Sequence, residues 1–426
     1  MMHGMENSMS DINRCAALPR LVKLALAATA CAGALALFSA TADAQTTASQ
    51  ATRMYNRIAG IPPNAFQLSQ MVGQTPINAA LVATNDPKFY NDTIRNMAAP
   101  WTNRAQSVFV PLNDYTATVI GMVRDNKPFN TILSDDIIYI GDGQSGEGSY
   151  SPDNNDMYQA LDDNNVDLSK HLKYSMQSTV TGIPSAATAG VMTTRGAASA
   201  FFVNGTNRAM FRFTMINHLC NDLPTVMDTT RPPDRIRQDV TRSPGGVSTL
   251  FLTNCIGCHS GMDPMAQAFA YYNFSYPASE IGATAWPVGQ LVYTAGQTQP
   301  KYHINTTNFP QGFITPDDSW TNRWRTGPNQ VLGWSSSPSF PGSGSGAKSL
   351  GQELENSAAF NTCQVTRVFK TVCFRAPATA NNGPASGYAS ATSDANEINS
   401  LIQTFQSNNY SLRQVFAAAA AYCMGN

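Results

Sequence analysis

The chain has 426 residues, 27 Lys and Arg against 28 Asp and Glu, and a formal net charge of −1. Only 13% of its residues are charged, against about 25% in an ordinary soluble domain, while 42% are hydrophobic. These figures exclude charge-driven disorder and any nucleic-acid partner held by neutralised phosphates, and the length suits two or three modules around a sizeable core.

Arg14, Arg20 and Lys23 precede an apolar run from Leu24 to Phe38, and Ala42-Asp43-Ala44 follows it. This is the layout of a bacterial-type secretory signal peptide with an A-x-A cleavage site, so residues 1–44 are expected to be removed. The apolar run is shorter than the roughly 20 residues that span a bilayer. Cys31 offers a lipoprotein alternative, but the usual Leu three residues before it is missing. The expected location is therefore periplasmic or extracellular, with no transmembrane segment after cleavage. Cys15 and Cys31 leave with the signal. Cys220, Cys255, Cys258, Cys363, Cys373 and Cys423 enter an oxidising compartment, where spare thiols tend to pair.

Helical signals dominate the rest. Residues 47–59 place Met54, Tyr55 and Ile58 on one stripe and stop at Gly60 before Pro62-Pro63. Asp86-Pro87 reads as an N-cap with proline at N1, and Phe89, Tyr90, Ile94 and Met97 continue the face. Asn113-Asp114 caps a stretch with Tyr115, Val119, Ile120 and Val123 on one side. Residues 141–156 form a glycine- and Asx-rich loop. The acidic stretch 135–167 lacks the glycine and ligand spacing of a calcium loop and reads as Asx turns. A further helix is expected from about Met210 to Cys220. Residues 335–347, SSSPSFPGSGSGA, read as a linker or surface loop, and 376–393 as another loop. Helices are expected at about 349–358, 362–374, 395–406 and 411–423, the third with Ile398, Leu401, Ile402 and Phe405 at helical spacing.

One motif is strong. Cys255, Cys258 and His259 form C-x-x-C-H, the c-type haem attachment signature. Two thiols about one helical turn apart reach the two vinyl groups of a porphyrin, and the adjacent His binds the iron as proximal ligand. A zinc ribbon would need a second Cys pair, a thioredoxin-like site would need a βαβ context, and a plain disulfide would leave His259 unexplained. One covalent haem c is therefore the expected cofactor. The single motif argues against a multihaem wire.

Cys255 to Pro264, followed by Asn273-Phe274, resembles the C-x-x-C-H-x-x-[hydrophobic]-D-P signature of secreted planctomycete-type cytochrome c-like proteins, most of which have no assigned activity. Ala189 to Thr194, Asn207-Arg208 and His218-Leu219-Cys220 are similar to the family's segment before the motif. Phe360 to Cys363, Arg375 and Tyr410 to Arg413 are similar to its C-terminal helices. The resemblance covers about residues 185–426. The chain departs from it just after the motif, where residues 265–272 read MAQAFAYY without the family's usual Gly and Glu. It implies a haem protein of unspecified partner rather than a reaction.

The expected fold class is mainly α: a signal peptide (1–44), a helical N-terminal module (45–185), a haem-binding cytochrome c-like module (186–335), a linker or surface loop (336–348) and a C-terminal helical region (349–426). For the sixth ligand, His303 is the only His downstream of the motif. Met424 is an alternative, whereas Met262 and Met265 read as core and His218 as a helix histidine. The expected function is electron transfer by an exported mono-haem protein with an unspecified redox partner. The alternatives are a haem-dependent oxidoreductase with its substrate site in the N-terminal module, or an envelope-interaction protein with a sensory or vestigial haem. No nucleophile–base pair or HExxH supports an enzyme, so catalytic residues remain unassigned. Cys363 and Cys373 lie ten residues apart in one helical segment, about 15 Å along its axis and beyond the roughly 7 Å reach of a disulfide. The surviving pairings are 220–363 with 373–423, or 220–373 with 363–423. The first is preferred because Cys373 and Cys423 each end a helix.

Overall fold

Thr47 opens the first helix, as the sequence predicts. Its hydroxyl accepts from Gln50 N at 3.3 Å while the Gln50 side chain accepts from Thr47 N at 3.0 Å, a reciprocal capping box. The helix, α1 (Ala48–Ala59), stops at Gly60, which takes a left-handed φ of 73°. Two short helices follow, α2 (Ala65–Met71) and α3 (Pro76–Ala83), the latter capped by Thr75 with proline in its first turn. The computed structural model describes residues 45–203, 205–235, 248–277, 288–303, 312–379 and 391–425. The expected signal peptide and most of the 376–393 loop lie outside the described residues.

Asp86 caps the helical stretch that Pro87 opens, as the sequence predicts, but much of that stretch is π-helical. The Asp86 carboxylate takes Lys88 N at 2.8 Å, the Tyr55 hydroxyl and Gln67 also donate to it, and the chain winds into a wider π turn, Phe89–Ile94. That turn still buries Phe89, Tyr90 and Ile94, the predicted apolar face. Asn113 caps α4 (Asp114–Arg124) by accepting from Thr116 N at 3.1 Å. All of α4 from Asp114 to Val123 is buried, so it runs through the core rather than over it.

Strand β1 (Ile138–Gly141) pairs antiparallel with β2 (Leu172–Ser175), with Ile138 opposite Ser175. Between them lie the glycine-rich loop and α5 (Asp156–Asp163). Helices α6 (Arg195–Phe201), α7 (Arg208–Leu219) and α8 (Ile256–Ala266) come next. β3 (Tyr272–Ser275) pairs with β4 (Gln290–Tyr293), and β5 (Ser319–Thr321) with β6 (Ser343–Ser345). β6 falls inside the expected linker, which is pinned to the body by this pairing and by Asn322 N donating to Gly342 O at 2.7 Å. The C-terminal region supplies α9 (Gly346–Glu355), α10 (Ala358–Cys373), α11 (Ala391–Ser407) and α12 (Leu412–Cys423), close to the predicted spans.

The fold is mainly helical. Residues 45–426 form one compact unit, and one apolar core runs from Ala51 to Met424 with members from each of the expected segments after residue 44. α12 packs on α3, α10, α11 and α1, so the two ends of the described chain interleave. Arg57 donates to Val372 O at 2.7 Å and Arg413 to Asn85 at 2.7 Å across that junction. α7 lies between α8 and α10. Two disulfides lock the arrangement, Cys220–Cys363 and Cys373–Cys423, with Cα atoms 5.3 and 5.4 Å apart. This is the preferred pairing of the two left by the helix argument, and α10 is indeed continuous between Cys363 and Cys373. Among the described residues no helix is long and apolar enough to cross a membrane.

Candidate functional site

The C-x-x-C-H segment sits at the start of α8. A short π turn, Phe251–Cys255, leads into it, so Cys255 immediately precedes the first helical residue and Cys258 lies three residues further. Residues three apart share a helix face, which puts both sulfurs on one side. Both are free thiols and half-buried, while the other four cysteines beyond Ala44 are paired. Burial, then the negative charges of Asp222 and Cys255, push the Cys258 thiol up from its ordinary pKa.

Two glycines let this segment lie flat on its surroundings. A Cβ on Gly257, between the two cysteines, would strike the Met227 side chain, and one on Gly261 would strike the Trp324 indole. Glycine inside a helix costs about 1 kcal/mol relative to alanine, and close packing on Met227 and Trp324 offsets that cost. Asp228 N also donates to Gly257 O at 2.9 Å. Phe251 and Ile256 form a small apolar cluster with Cys255, separate from the main core. Leu250, Leu252 and Met227 around it are exposed, giving the motif an apolar border.

His259 is held from one side. Asp263, one turn further along α8, accepts from its Nδ1 with oxygens at 3.1 and 3.2 Å. A carboxylate in this role only accepts, so Nδ1 carries a proton, and in the neutral ring Nε2 is then the nitrogen with the lone pair. Nε2 makes no hydrogen bond among the described residues, and the side chain is 24% exposed. The Phe251 ring lies 5.6 Å from the imidazole. Asp263 is 1% exposed and is gripped by Arg208, Nε to Oδ1 at 2.7 Å and Nη2 to Oδ2 at 3.0 Å. Arg208 opens α7. Its neighbour Asn207 ties that end to the far end of α8 by donating to Phe269 O at 2.7 Å and Tyr272 O at 2.8 Å.

Cys255, Cys258 and His259 are thus brought together. His303 is placed elsewhere: it ends a short turn, Pro300–His303, whose Tyr302 is buried against Ala270 and Tyr271. Gln299 N donates to Ala270 O at 2.9 Å, so this turn is anchored past the end of α8, which itself ends about 10 Å beyond His259 along the axis. Met262 and Met265 are buried in the core, and Met424 packs against its edge. His218 is a core histidine. It is fully buried, shares a 2.6 Å hydrogen bond with the Tyr115 hydroxyl, and burial drives its pKa down to about 3.

A cleft of about 340 Å³ opens beside β1 and β2, lined by Ile140, Gly141, Tyr150, Lys173 and Val180 among others. Ser149 and Lys173 both line it, and no hydrogen bond joins them among the described residues. Among the described residues no group of three or more His, Cys, Asp and Glu gathers to hold a bare metal ion. Arg208 is the site residue that the motif alone does not announce. Asp263 carries a signal, four residues after His259 on one helix, whereas Arg208 is 55 residues from Asp263 and meets it only because α7 packs on α8. No model of a known protein family matches the chain, and no curated protein or solved structure is similar to it.

Proposed function

We propose that the chain is an exported mono-haem c-type cytochrome-like protein, with residues 186–335 as its haem module, that transfers electrons between partners in the periplasm or at the cell surface. The observation that carries this reading is the cysteine partition: four are paired, and the two in C-x-x-C remain thiols on one face ahead of a histidine. The residues present fit the group. His259 has the correct tautomer to bind iron through Nε2, and Phe251, Ile256 and Leu252 give an apolar setting. When bound, haem supplies a reversible one-electron couple.

Each thiol would add across one vinyl double bond. Cys255 and Cys258 would thus hold the haem through two thioether bonds, which requires both to be reduced. Among the described residues the two disulfides leave no other thiol to compete. His303 is the proposed distal ligand, and the turn anchored on Ala270 would have to shift toward His259 for it to serve. In the haem-loaded chain, His303→Ala should turn a low-spin spectrum high-spin or open it to CO; an unchanged spectrum removes His303 from that role.

The cleft beside β1 favours one second reading, in which the haem serves an oxidoreductase whose substrate binds in the N-terminal module. The readings separate on whether a small molecule in that cleft is turned over at the expense of the haem couple. The core proposal is tested on a denaturing gel. With haem-maturation machinery co-expressed, the wild-type band should carry peroxidase-active haem and the Cys255→Ala, Cys258→Ala double variant should carry none. Stain retained by the double variant would contradict the proposal.

A further inference from the structure

We propose that Asp263, clamped by Arg208, is a positioning residue that orients His259 and lowers the reduction potential of the iron His259 ligates. This rests on the haem reading above and adds to it a specific electrostatic device. The geometry is fully built from the protein. Both Asp263 oxygens lie within 3.2 Å of His259 Nδ1, and both are met by the Arg208 guanidinium at 2.7 and 3.0 Å. The carboxylate is 1% exposed, so water does not screen it. Helical spacing alone would bring Asp263 near His259. The fork from α7 then fixes its plane, because guanidinium and carboxylate match as two parallel hydrogen bonds. Asn207 holds the start of α7 against the chain after α8, so the fork cannot drift from the histidine.

The chemical consequence follows from charge. A carboxylate accepting from Nδ1–H pulls that proton and makes Nε2 a stronger donor. A stronger donor favours ferric over ferrous iron, which lowers the potential. A backbone carbonyl in the same place would fix the ring without adding a negative charge. Arg208 offsets part of that charge, so the pair sets the iron's electronics to an intermediate value while keeping the ring orientation rigid. The role is therefore distinct from packing: a neutral acceptor of the same shape would keep the structure and lose the effect on potential.

Asp263→Asn provides that acceptor. In the haem-loaded full chain, spectroelectrochemical titration should show the variant's ferrous-to-ferric ratio rising about tenfold at a fixed applied potential, a shift of about 59 mV for a one-electron couple. Covalent haem content should match the wild type. Asp263→Ser, a smaller neutral residue, should shift the potential in the same direction if the asparagine variant does not fold. Covalent haem in both proteins with equal potentials would overturn the proposal while leaving the haem reading intact. Absence of covalent haem from the wild-type protein would instead overturn the haem reading, and this inference with it.

Discussion

His218 and His259 lie on helices that pack together, yet their surroundings give them opposite chemistry. His259 keeps one nitrogen at the surface and has a carboxylate on the other. His218 has no charge partner of opposite sign, and burial followed by the positive charge of Arg367 pushes its pKa down to about 3. An unfolded histidine titrates near 6.5, so between about pH 3 and 6.5 the unfolded chain binds a proton that the folded chain refuses. The stability that neutral His218 permits is therefore present above pH 6.5 and lost as pH falls, by about 2 kcal/mol at pH 5. Glu397 opposes this: burial raises its pKa to about 7, so it favours the folded state as pH falls below 7. The clean measurement is the difference between wild type and His218→Gln in urea unfolding. The variant's deficit at pH 7 should shrink by about 2 kcal/mol at pH 5; a constant deficit would mean that His218 is not buried neutral. At this scale the C-x-x-C-H triplet was readable because its chemistry is encoded in covalent spacing. Arg208 was not, since its role depends on a tertiary approach between two helices.

Helix boundaries followed local signals. Thr47, Asn113 and Ser411 each cap the helix that the pattern places after them. Asp86 caps as well, one carboxylate oxygen taking Lys88 N while the other takes Tyr55 and Gln67, but the cap does not foretell the π winding that follows. The strands among the described residues are three or four residues long, and their positions were hidden for a different reason. β1 is buried along its whole length and shows no alternation, and β6 is a Ser-Gly-Ser run that composition assigns to a linker. Between elements, the Cys220–Cys363 bridge fastens the end of α7 to the start of α10 across 143 residues of sequence. Chain entropy credits a loop of that length with about 5 kcal/mol, and measured values for native bridges run from about 2 to 5 kcal/mol. Replacing both cysteines by serine should lower unfolding stability within that range, and the loss should be read in urea without reductant. A loss below about 0.5 kcal/mol, the scale of a neutral surface change, would show that packing alone holds α7 to α10.

At the scale of the whole molecule, the N-terminal and C-terminal helices share one core, and the attachment motif lies on α8 against α7. The sequence divides readily into modules at its loops, but loop composition does not report that α12 returns to α1 and α3. That is a long-range event decided by which apolar faces remain to be covered. The helices outside α7 and α8 are continuous with the scaffold that supports those two. Four of the six cysteines beyond Ala44 are closed within the scaffold and two remain thiols, and the proposed function turns on those two. The most direct test is a pyridine haemochrome spectrum of the protein purified from the periplasm after co-expression with haem-maturation machinery. The account predicts one haem per chain with the reduced bands of a two-thioether porphyrin. A protein that is folded and oxidised at Cys220–Cys363 and Cys373–Cys423, yet carries no such haem and joins Cys255 to Cys258 instead, would contradict it.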